Sequence, residues 1–92
     1  MNIDDIQEFC NKYKLDLKII NTSKGGNPIH SRLIDEYGNY VLDVYFKHNK
    51  QGIKHNMVFN WEKQSWSKIK TLEELHNILG LEVNNLFSDF NI

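Results

Sequence analysis

IHSRLIDEYGNYVLDVYFKH, residues 29–48, reads as two strands folded about a turn. Ile29–Tyr37 and Tyr40–His48 are rich in β-branched and aromatic residues, which suit a pleated, half-buried surface. Gly38-Asn39 between them fits a two-residue type II′ hairpin, because its first position needs a positive φ. Counting back from that turn sets Tyr37 opposite Tyr40, Asp35 opposite Leu42 and Leu33 opposite Val44. One face then carries Leu33, Tyr37, Tyr40, Leu42, Val44 and Phe46, the composition of a core. The other carries Arg32, Ile34, Glu36, Val41, Asp43 and Tyr45, a mixed and wetter set.

Working outward, Asn49-Lys50-Gln51-Gly52 makes a second turn. A fourth strand follows it, with Met57, Phe59 and Trp61 on one side and Lys54, Asn56, Val58 and Asn60 on the other. Its aromatic side has the phase of a core face. Trp66–Ile69 adds a short fifth strand. Thr71-Leu72-Glu73-Glu74 is a capping box that opens a helix running to Leu79, with Gly80 at its end and Leu72, Leu75, Ile78 and Leu79 facing inward. One or two further helical turns are expected over Val83–Phe90.

Upstream, Ile6, Phe9, Cys10 and Tyr13 recur at helical spacing, so Ile3–Lys14 is predicted to be an amphipathic helix capped by Asn2. Leu15, Leu17 and Ile19 then alternate with Asp16 and Lys18 as a strand, and residues 22–28 form a Gly- and Pro-bearing loop. The expected fold is a single α+β domain over residues 1–92. It is a four- to five-stranded antiparallel meander with an N-terminal helix and one or two C-terminal helices on one face, α-β-β-β-β-α.

A chain of 92 residues with 40% apolar side chains builds one core without staples. No apolar run approaches the ~18 residues of a membrane span, and Met1 leads into Asn2, Asp4 and Asp5 without a signal-peptide pattern. Cys10 is the single cysteine, which excludes an internal disulfide and points to a reducing, cytoplasmic setting. The chain has no alanine and one arginine against ten lysines. Since alanine favours helices and arginine makes the better bidentate donor, folding gives no reason for that bias. AT-rich codons do, which suggests a low-GC bacterium, its phage or another AT-rich genome.

Charge is polarised beneath a net of −1. Residues 45–70 carry six lysines against Glu62, whereas residues 71–92 carry Glu73, Glu74, Glu82 and Asp89 with no Lys or Arg. Such segregation steers partners.

No catalytic pattern is found. His30, His48, His55 and His76 lack metal-ligand spacing, and Cys10 falls on an apolar stripe where a thiol acts as a small hydrophobe. Asp35, Glu36 and Asp43 around the hairpin invite comparison with metal-dependent nucleases. Asp43 and Lys47 are four apart rather than two, however, and Ile34 is expected opposite Asp43. Gly25-Gly26 lacks the rest of a phosphate-binding loop.

Leu72–Phe90 resembles a helix-turn-helix, with Gly80 in the turn and Leu75 and Leu79 packing. It departs from that pattern in placing His76 where a small residue sits. Its second helix would present Glu82 and Asp89, which repel phosphates.

These readings converge on a small non-enzymatic binding protein with no cofactor or metal. The expected role is that of a bacterial or phage accessory or inhibitor protein; small size and such a source, rather than any residue pattern, suggest host takeover or anti-defence by blocking a larger nuclease or nucleic-acid-binding partner. Docking is assigned to a Lys/aromatic β-surface of Tyr45, Lys47, Lys54, Lys63, Trp66 and Lys68. The alternative is a nucleic-acid-binding module using the same face, with bases on aromatics and phosphates on lysines.

Overall fold

The computed structural model describes residues 1–48 and 54–80. The strands β1 (Asp16–Thr22), β2 (Pro28–Ile34), β3 (Tyr40–His48), β4 (Lys54–Asn60) and β5 (Ser65–Ile69) form one antiparallel sheet in chain order. The helices α1 (Ile3–Lys12) and α2 (Leu72–Ile78) pack on one face of it. This is the expected α+β meander with its fifth strand present. The anticipated turn over Asn49–Gly52 and the helical turns over Val83–Phe90 lie outside the described residues, as does the second half of the helix-turn-helix resemblance.

The side chain of Asn2 accepts from the Asp5 amide and that of Asp5 accepts from the Asn2 amide, both at 2.9 Å, so two first-turn donors of α1 are satisfied reciprocally. The helix ends two residues before Lys14, which takes φ 56° and turns the chain into β1. At α2, the Thr71 hydroxyl accepts from the Glu74 amide at 3.3 Å. The expected return leg, from the Thr71 amide to the Glu74 carboxylate, is replaced by a bond from that hydroxyl to the carboxylate at 3.4 Å, so Thr71 caps the helix without a full capping box. Gly80, at φ 70°, follows the last turn as expected.

The central hairpin is real, but its turn is longer than two residues. Asp35 closes a five-residue loop: its amide donates to Asn39 O, and its carboxylate accepts from the Tyr37 and Asn39 amides. Leu33 therefore pairs with Leu42 and Ser31 with Val44. This slip of two from the expected register leaves the faces of Leu33, Leu42 and Val44 unchanged. Beyond Leu33 the register shifts again, so Ile34 pairs with Tyr40 and Val41 is the extra residue of a bulge. A bulge reverses the alternation on one side of itself. Val41 accordingly packs toward the core, and Tyr40, expected inside, is 49% exposed on the opposite face. Tyr37, also expected inside, is at the loop tip and 81% exposed.

The largest departure is β4. Val58 is fully buried against the helices, flanked by buried Asn56 and Asn60, while Met57, Phe59 and Trp61 belong to the opposite face. Counting apolar residues chose the aromatic side as core; register chose the other. Val44 pairs with Val58, which pairs with Ser67, and that row lies beneath the helices. Asn60 is tolerated inside because its amide donates to Ile78 O at 3.2 Å and accepts from the Lys63 amide at 3.0 Å. The core is completed by Ile6, Phe9, Cys10, Leu33, Leu42, Ile69 and Leu75.

Candidate functional site

The face turned away from the helices is organised around one carboxylate. Asp43, in the middle of β3, is buried to 2% exposure although no helix among the described residues lies over it. Neighbouring strands bring His30 and Arg32 of β2 to its side, and Trp61, just beyond β4, reaches across from the other. Arg32 grips it with Nε on Oδ1 at 2.8 Å and one Nη on Oδ2 at 3.0 Å. The Trp61 indole N–H donates to Oδ1 at 2.8 Å and the His30 Nε2–H to Oδ2 at 2.7 Å. Each oxygen thus accepts twice, which exhausts what an ionised carboxylate accepts comfortably.

Burial alone would raise the Asp43 pKa, but hydrogen bonds from Arg32, Trp61 and His30, with the Arg32 charge, hold it below its ordinary value. The same bond to Asp43 raises the Arg32 pKa against the opposing effect of desolvation. The centre is therefore an ion pair fixed at neutral pH.

Aromatic rings surround it in a continuous path. Tyr40 meets Trp61 at 5.3 Å between centroids, Trp61 meets Phe59 at 5.0 Å, Phe59 meets Trp66 at 5.1 Å, and Trp66 meets Tyr45 at 5.5 Å. Tyr45 stacks on His30 at 4.1 Å and 15°. The Arg32 guanidinium sits 4.2 Å from the Tyr40 centroid and 5.4 Å from that of Trp61. Trp66 remains 55% exposed at the rim.

Of the residues singled out in the sequence, Tyr45 and Trp66 are brought together here, and Lys68 joins their face through the row His30, Tyr45, Met57, Lys68. Lys63 is exposed in the turn between β4 and β5. Lys47 and Lys54 occupy β3 and β4 opposite His55 and His48. Sequence reasoning missed the centre itself. The expected register sets Ile34 opposite Asp43; its cross-strand partner is Arg32. A signal was present: the single arginine and His30 stand two apart on a strand, hence on one face.

The other reactive side chains serve packing. Burial, with help from Asp16, pushes the Cys10 thiol up to about 11, so it stays protonated. His76 donates from Nδ1 to Leu72 O at 2.7 Å and packs edge-on against Phe9 and Tyr13. Among the described residues no group of three or more His, Cys, Asp or Glu is placed to hold a metal, and no helix is long and apolar enough to cross a membrane. A recess of about 480 Å³ opens elsewhere, between the start of α1, the loop before β2, and Phe46 and Asn56. Comparison with protein-family models, curated proteins and solved structures finds no match to this chain.

Proposed function

We propose that this is a non-enzymatic docking protein that binds a larger protein through the open face of its sheet. The observation that carries the reading is the ring path from Tyr40 to His30, which no element among the described residues covers and which the Asp43 centre anchors through Trp61 and His30. Trp, Tyr and Arg dominate binding hot spots because they bury much area at small entropic cost once fixed. Here two Trp, two Tyr and the single Arg share one surface, and hydrogen bonds to Asp43 hold Arg32 and Trp61 of that set before any partner arrives.

Lys63 and Lys68 at the rim would speed encounter with an acidic surface. The role is that of a small cytoplasmic accessory or inhibitory protein, covering a functional surface of its target. Edge-to-face contacts among the rings favour a protein over a stacked polynucleotide, because they leave few flat faces open to bases.

The test is affinity capture from the cells that make the protein. Wild type is compared with Tyr45→Ala/Trp66→Ala and with Tyr37→Ala as an off-face control. The partner is retained by wild type and by the control and lost by the double variant. Equal capture by all three refutes the site. Capture that disappears on nuclease treatment and falls steeply with salt replaces the protein reading with the nucleic-acid one.

A further inference from the structure

The geometry points to Arg32 as a carboxylate-reading residue of the docking face, one that receives an Asp or Glu side chain from an acidic segment of the partner. This rests on the docking reading above and specifies its chemistry. A guanidinium has five N–H donors. Asp43 takes two of them, through Nε and one Nη. Tyr40 offers its hydroxyl to the guanidinium as well, two N–H donors remain beyond these, and the side chain retains 21% exposure. Tyr40 and Trp61 pack against the guanidinium, so its plane is fixed and little entropy is lost when a second carboxylate pairs with it. Lys18 stands directly opposite on β1, at register Lys18–Arg32, and supplies a second cation beside the fork.

The occupant is a discrete carboxylate rather than a phosphate backbone, for a reason of charge. By strand alternation the described part of this face sets Lys18, Arg32, Lys47 and Lys68 against Asp16 and Asp43. That excess of two positive charges suits one or two acidic side chains. A polynucleotide track needs a run of uncompensated cations.

The experiment follows the Arg32 Nε–H and Trp61 Nε1–H resonances of the full chain during titration with three probes. These are acetylated hexaglutamate, acetylated hexaglutamine and a twelve-nucleotide oligo(dT). Hexaglutamate should shift both signals saturably, and hexaglutamine should leave them unmoved. Arg32→Lys, which keeps charge but loses the fork, should bind hexaglutamate about 10- to 100-fold more weakly. If that variant does not fold, Arg32→Met/Asp43→Leu replaces the pair by apolar side chains of similar size, and should lose the hexaglutamate response outright.

Unchanged affinity in either folded variant overturns the assignment, as does a hexaglutamine response equal to that of hexaglutamate. Tighter binding of oligo(dT) than of hexaglutamate overturns it in favour of phosphate. The docking reading fails separately: a captured partner that survives the Arg32 variants but is lost with Tyr45→Ala/Trp66→Ala sinks only the carboxylate assignment.

Discussion

Asp43→Asn isolates the centre of the open face with almost no change in volume. Asp43 accepts four hydrogen bonds, two on each oxygen. An asparagine supplies one oxygen and one NH2. With its NH2 toward Arg32 Nε and Trp61 Nε1 the asparagine sets a donor against two donors; turned toward Arg32 Nη and His30, it keeps the His30 bond through a switch of that ring's tautomer but still faces Arg32 Nη. One or two hydrogen bonds are lost, and the Arg32 charge loses its counter-ion. A buried pair broken on one side costs about 3–5 kcal/mol. Arg32 and His30 keep 21% and 16% side-chain exposure, so water recovers part of that. The expected loss is about 2–4 kcal/mol, or roughly 10–25 °C in Tm for a domain of this size.

Urea titration monitored by Trp fluorescence measures the loss, and the Trp61 indole N–H resonance reports the released bond. Stability within about 0.5 kcal/mol of wild type, with that resonance unmoved, would refute the four-donor geometry. The same site predicts a pH dependence. Because the folded pKa of Asp43 lies below its ordinary 3.8, the unfolded chain takes up the proton first as pH falls. Stability from this group is complete above that value and declines as pH drops through the folded pKa. Arg32→Met/Asp43→Leu should lack that part of the acid slope.

Val44→Ala removes two methyl groups from a fully buried position between Ser31 and Val58, and should cost about 1–3 kcal/mol by denaturant midpoint; an unchanged midpoint would place Val44 on the surface. Thr71→Ala removes the acceptor of the Glu74 amide and should cost about 1 kcal/mol, with faster amide exchange across Leu72–Leu75. Iodoacetamide should modify Cys10 at pH 8 only as fast as the protein unfolds, since its thiol is buried and its pKa is raised to about 11; rapid labelling of folded protein would contradict both facts.

Local chemistry is legible where it is decided locally. The Asn2 and Thr71 caps, the left-handed Gly80, the period of Ile6, Phe9 and Cys10, and the alternation of Leu33, Leu42 and Val44 all depend on neighbours within a turn or on one strand. They suffice for the element order and for helices on a single face. Where two faces of a strand are both apolar enough to bury, composition no longer chooses. In β4 the three large side chains Met57, Phe59 and Trp61 outweigh Val58 and two asparagines in any local count, yet the asparagines are inside. Asn60 is satisfied there only by the Ile78 carbonyl and the Lys63 amide, which a distant helix and the next turn supply.

The docking face has the same origin. Tyr45 and Trp66 are visible in the sequence as aromatics among lysines, whereas their convergence depends on cross-strand register. Asp43 looks like an isolated acid until a bulge at Val41 turns Tyr40 outward and four strands align Lys18, Arg32, Asp43 and Phe59 in one row. Periodicity assigns a residue to one of two faces. Only pairing between strands decides which face the helices cover, and whether a carboxylate meets water or three donor side chains.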